Sequence, residues 1–153
     1  MLSEERRFRV EVDRSWEAVQ AIAWHYRRLG YAVAIPEPRL RPSFDDRAGY
    51  GDDFDIAVGE RWRFEVKWRG IDFTSKADFP YPTAFVDRAA KAAKTVHLLA
   101  GYLTVNKQLT HAALIPAHTR SRWIDRIVTD SVKGYRLHVL ECPLDLATIK
   151  PIV

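Results

Sequence analysis

The sequence predicts an α/β fold, a central mixed β-sheet flanked by helices, and three observations predict it. Apolar residues recur at helical spacing from Ser15 to Leu29, they alternate without a fault from Arg61 to Arg69, and strand-like and helix-like segments succeed one another along the chain. With 153 residues and 47% apolar content the chain can bury one substantial core, so a single domain over 1–153 is expected.

Taken in order, Phe8, Val10 and Val12 alternate with Arg9 and Glu11 and predict a short half-buried strand. The period then changes. Trp16, Val19, Ile22, Ala23, Tyr26 and Leu29 form one helical face between Ser15 and Leu29, and Gly30 stands at the C-terminal cap. Tyr31 to Ile35 reads as a compact strand stopped by Pro36 and Pro38. The long aperiodic loop from Glu37 to Asp53 is of a kind that more often carries function than accident. Two strands follow, Phe54 to Val58 and Arg61 to Trp68, joined through Gly59 and Glu60 in a tight hairpin, which makes them antiparallel. After Pro80 and Pro82, a second helix is expected from Ala84 to Leu99, with Phe85, Ala89, Ala92, Val96 and Leu99 buried and Gly101 closing it. Tyr102 to Val105 and Ala112 to Ile115 read as strands, Arg120 to Val128 as a short helix, and Tyr135 to Leu140 as a last strand.

Lys and Arg total 24 against 20 Asp and Glu, a net charge of +4 that suits a polyanionic partner. Cys142 is the single cysteine, which excludes an internal disulfide and a Cys-rich zinc module and leaves a half-buried structural thiol. The charged start MLSEERRFRV and the lack of any apolar run of about 18 residues predict a soluble, cytoplasmic protein with no membrane partner. His25, His97, His111, His118 and His138 lack zinc-hydrolase spacing, and neither a nucleophile-elbow nor a P-loop motif occurs. Asp45, Asp46, Asp52 and Asp53 lack the spacing and central glycine of a calcium loop. Trp16, Trp24 and Trp123 are expected to pack on the core.

The chemistry concentrates in RWRFEVKWR. Its alternation puts Trp62, Phe64, Val66 and Trp68 on one face, expected to be buried, and Arg61, Arg63, Glu65, Lys67 and Arg69 on the other. Glu65 and Lys67 then stand about 6.6 Å apart on one side of the strand. Alone, such a pair commonly decorates a solvated face. Asp55 changes that reading, because it opens the preceding strand one hairpin away, and a register placing both acids on one face would let them share a cation. Mg²⁺ needs only one or two carboxylates, keeping waters and substrate oxygens for the rest of its shell.

At these residues the sequence resembles the PD-(D/E)xK nuclease superfamily, restriction endonuclease-like and Holliday junction resolvase-like members included. Asp55 matches the strand-opening Asp and Glu65-Val66-Lys67 the E-x-K, while Phe54 stands where the name-giving Pro would be. The likeness runs from about Ser15 to Leu99, and Glu17 best matches the helical acid of such enzymes, although with Ser15 as N-cap it would equally suit the first helical turn. The resemblance implies a restriction endonuclease-like core and a metal-dependent DNA endonuclease. It implies Asp55, Glu65 and the Val66 carbonyl as ligands of Mg²⁺ or Mn²⁺, and Lys67 as the residue that orients water or stabilises the phosphate. Lys91 would assist at the phosphate, and Arg61, Arg63, Arg69 and the loop arginines Arg39, Arg41 and Arg47 would follow the DNA backbone. Self-association into a homodimer fits the need for two cuts. The alternatives are a non-catalytic nucleic-acid-binding or assembly domain of the same fold and a purely structural α/β domain. The motif leaves open whether the substrate is duplex, flap, junction, single strand or RNA.

Overall fold

The computed structural model describes residues 4–36, 54–129 and 134–153, with side chains from residue 14 onward. Helix α1 runs over Glu4–Arg28. It takes in the segment expected as a first strand, so that expectation is corrected. The alternation at Phe8 to Val12 lasts only five residues, and the flanking Glu and Arg residues are good helix formers. Ser15 is consequently interior to α1 and caps nothing.

Strands β1 (Val33–Ala34), β2 (Ile56–Val58) and β3 (Trp62–Trp68) come next, followed by β4 (Thr83–Arg88) and helix α2 (Ala89–Thr95). The remaining strands are β5 (Gly101–Val105), β6 (His111–Pro116), β7 (Ile124–Thr129), β8 (Arg136–Pro143) and β9 (Thr148–Pro151). They build a six-stranded sheet in the order β1-β2-β3-β5-β6-β9 and a three-stranded sheet in the order β4-β8-β7. In the larger sheet β3 and β5 are parallel and every other pair is antiparallel, so it is a mixed sheet. The chain is thus mixed α/β with few helices, as the sequence predicts at that level.

Two expected helices are corrected. The first part of the span expected as one helix from Ala84 to Leu99 falls in strand β4, Thr83–Arg88. It pairs with β8 across more than fifty residues of sequence, a partner that no local periodicity reveals. Only Ala89–Thr95 is α-helical there, with a 3₁₀ turn at Val96–Leu98 after it, and Gly101 opens β5 rather than closing a helix. Ala117–Arg122 is a 3₁₀ turn and Ile124–Thr129 is strand β7, where a single short helix was expected.

Each face of the larger sheet is covered. Ala18, Val19, Ile22 and Ala23 of α1 pack on Ile56, Val58, Phe64, Val66, Leu103 and Val105. On the opposite face Tyr102, Ala113 and Ile115 meet Ala84, Val86 and Cys142 of the smaller sheet together with Phe73 and Phe79. Phe64 and Val66 are buried as expected, Trp68 is half-buried against α1, but Trp62 at the hairpin end is 45% exposed and is corrected. Trp16 and Trp24 are also corrected, since they lie on the outer side of α1, whereas Trp123 packs edge-on against Tyr102. Cys142 is a free, fully buried thiol. No helix among the described residues is long and apolar enough to cross a membrane.

Candidate active site

The register of the β2–β3 hairpin decides where the acids fall. Ile56 pairs with Phe64 and Val58 with Trp62, so Asp55, one step before Ile56, comes opposite Glu65. Its backbone bears this out, for the Asp55 N–H donates to the Phe64 carbonyl at 2.9 Å and the Val66 N–H donates to Asp55 Oδ2 at 2.7 Å. The two carboxylates therefore share the sheet face that turns away from α1.

Glu65 is 5% exposed, which an ordinary solvated strand face would not allow. It is covered by the crossover from β3 to β5, through β4 and α2, and that crossover supplies two more charged groups. Lys91 of α2 donates its ammonium to Glu65 Oε1. Asp87 of β4 is 3% exposed, with Lys67 Nζ 3.3 Å from its Oδ1, and Lys67 Nζ is also 3.7 Å from Glu65 Oε1. Lys67 thus bridges Glu65 and Asp87.

Asp87 points inward because of a bulge. Phe85 pairs with Glu141 but Asp87 pairs with Leu140, so Val86 is an extra residue on β4. Strict alternation with Ala84 and Val86 inside would have turned Asp87 outward. The bulge lets consecutive residues Val86 and Asp87 both enter the interior. Asp87 Oδ1 also accepts its neighbour's N–H, from Arg88, while Oδ2 has no hydrogen-bond partner among the described residues.

The electrostatics follow from crowding. Burial and then the Glu65 charge push the Asp55 carboxyl up to about 7, against the Val66 N–H and the two lysines, which act the other way. Burial alone would lower the Lys91 ammonium, but Glu65, Asp87 and Asp55 together hold it above its ordinary value. Burial, then Asp87, raise the Tyr102 phenol on the adjacent strand. Three carboxylates and two ammonium groups meet where apolar residues would otherwise be.

No family model, curated protein or solved structure matches this chain.

Of the residues singled out in the sequence, Asp55, Glu65, Lys67 and Lys91 come together. Val66 contributes its N–H to Asp55. Glu17 stands apart, on the exposed side of α1 across the sheet, where it pairs with Arg14 at 3.1 Å. Arg61 and Arg63 are exposed at the hairpin end, with the Arg63 guanidinium 5.0 Å from the Phe54 ring. The Arg69 guanidinium lies 3.7 Å from the Phe85 ring at the other end of the strand. Arg39, Arg41 and Arg47, like Asp45, Asp46, Asp52 and Asp53, lie outside the described residues. Asp87 carries no mark of a site in the sequence, because AFVDR fits the helical pattern expected from Ala84 onward, and a bulge has no signature in the period of the sequence.

Among the described residues no three His, Cys, Asp or Glu side chains gather at metal-ligand spacing. The donor set that does converge is the pair Asp55 and Glu65, and its chemistry fits a hard divalent ion. Two carboxylates forced together, one of them raised to about 7, would be relieved by a cation that displaced the proton.

Proposed function

We propose that this chain is a Mg²⁺- or Mn²⁺-dependent nuclease hydrolysing phosphodiester bonds in DNA, built on a restriction endonuclease-like core. The observation that carries the reading is the convergence of Asp55, Glu65 and Lys67 on one face of a hairpin, next to a second ammonium from Lys91. Asp55 and Glu65 would hold the metal with the Val66 carbonyl. When bound, the ion supplies Lewis-acid polarisation of the phosphoryl oxygen and a water of lowered pKa.

The chain's own residues do the rest. The Val66 N–H fixes one oxygen of Asp55 and leaves the other for a ligand. Asp87 holds the Lys67 ammonium beside Glu65, in position to stabilise charge that develops on the phosphate. Lys91 lies on Glu65 and can turn its ammonium to a substrate oxygen, so the buried acids are not left uncompensated before substrate arrives.

That same engagement of Glu65 by two lysines favours one rival, a self-neutralised site in a non-catalytic nucleic-acid-binding domain. Incubation of plasmid, linear, branched and single-stranded DNA with Mg²⁺, Mn²⁺ or EDTA separates the two. The expected result is metal-dependent cleavage that drops by about 10²-fold or more in Glu65→Gln and in Lys67→Ala. Binding without metal-dependent cleavage of any substrate would establish the rival instead.

A further inference from the structure

We infer that the strand to be cut reaches this site as a single strand, drawn into a two-lobed cleft between the sheets. The inference rests on the nuclease reading and specifies its substrate class.

The first lobe has a volume of about 640 Å³ and is bordered by Lys67 of the larger sheet, by Lys91 of α2, and by Asp87, Val128, Leu137 and Val139 of the smaller sheet. The second, of about 460 Å³, extends past Tyr81, Thr104 and Arg126. Arg69, Phe85 and Glu141 border both lobes, so the two adjoin across the Arg69–Phe85 stack.

Three features decide between a single strand and a duplex. The first is depth. Asp87, which borders the first lobe, is 3% exposed, and Glu65 lies behind Lys67 and Lys91, whose ammonium groups border the lobe and would meet a phosphate. A duplex about 20 Å across, with a phosphate every few ångströms on its outside, can lie over such an opening but cannot lower one backbone into it. The second feature is composition. Five basic side chains, Lys67, Arg69, Arg88, Lys91 and Arg126, border the two lobes against the acids Asp87 and Glu141, and the aromatic rings of Phe85, Phe79 and Tyr81 are interleaved with them. Cations for phosphates with aromatic faces for unstacked bases are the chemistry of single-strand tracks. The third is Thr104, which is 3% exposed, borders the second lobe and has a buried Oγ1 without a hydrogen-bond partner among the described residues.

The test uses the full chain carrying Asp55→Asn in EDTA, which removes cleavage from the measurement. Fluorescence anisotropy compares a labelled oligothymidylate with a mixed-sequence duplex of equal length. The single strand should bind about ten-fold tighter or better, and Phe85→Leu and Tyr81→Ser should each weaken it by about five-fold or more while leaving duplex affinity unchanged. Tyr81 is 56% exposed, so its substitution leaves the fold intact and decides the matter even if Phe85→Leu is poorly folded. A duplex bound as tightly as the single strand, or a Tyr81→Ser variant with undiminished single-strand affinity, overturns the inference. The nuclease reading fails separately. Tight single-strand binding without any metal-dependent cleavage by the unsubstituted chain keeps the cleft and removes the hydrolysis, whereas cleavage confined to duplex keeps the hydrolysis and removes the cleft.

Discussion

Asp55 shows what the site costs the free protein. Its carboxyl is raised from 3.8 to about 7 by burial and by Glu65, so between those values the unfolded chain is ionised while the folded chain retains the proton. Unfolding then releases a proton, and in metal-free buffer stability should fall as pH rises through this window and level off above it. Asp55→Asn keeps an oxygen for the Val66 N–H and cannot ionise. Urea unfolding in EDTA should find this variant more stable than the unsubstituted chain at about pH 8, by on the order of 1–3 kcal/mol, and no more stable at about pH 4. A loss of stability at the higher pH would mean that the carboxylate is held ionised by its lysines. The gain should disappear on adding Mg²⁺, since a bound cation stabilises only the chain that has Asp55 to offer.

At the scale of the element, β5 is the strand on which both faces depend, and Gly101 is its most constrained residue. A Cβ there would stand 2.6 Å from the Ile115 carbonyl oxygen and 3.0 Å from Leu114 Cδ1, and the first of these is backbone in the paired strand β6. Gly101→Ala must push β5 and β6 apart, with an expected loss on the order of 2–3 kcal/mol, read as a lowered denaturant midpoint with the helical circular dichroism retained before the transition. An unchanged midpoint would show that the sheet relaxes freely there. The same element marks the limit of what the sequence makes legible. Alternation in β3 and the short hairpin before it act between neighbours in the chain, so the placement of Asp55, Glu65 and Lys67 could be read directly. The β4 strand could not, because Phe85, Ala89, Ala92 and Val96 also fit a helical face, and the choice is made by pairing with β8 far along the chain. Asp87 and the burial of Glu65 are products of that pairing, and both remained hidden with it.

For the whole molecule, the division of labour between the sheets determines how a strand could be admitted. Asp55, Glu65 and Lys67 belong to the six-stranded sheet, where Gly101–Val105 of β5 is buried along its full length between two apolar clusters. Val128, Thr129, Leu137 and Val139, which form part of the wall of the first lobe, belong to β7 and β8 of the smaller sheet. Strand β7 is an edge with Ile124 and Ile127 exposed. Backbone hydrogen bonds at such an edge open by local fluctuations, while those of a doubly covered central strand open only with global unfolding. Hydrogen exchange on the free chain should therefore rank β5 amides slowest and β7 amides faster by orders of magnitude. Adding an oligothymidylate to the Asp55→Asn chain in EDTA should slow exchange in β7 and β8, where the wall closes on the strand, by a larger factor than in β9 at the opposite edge of the larger sheet. Equal slowing of β7 and β9 would mean that the ligand only stabilises the molecule globally. Selective slowing at the wall would locate the bound strand against the smaller sheet.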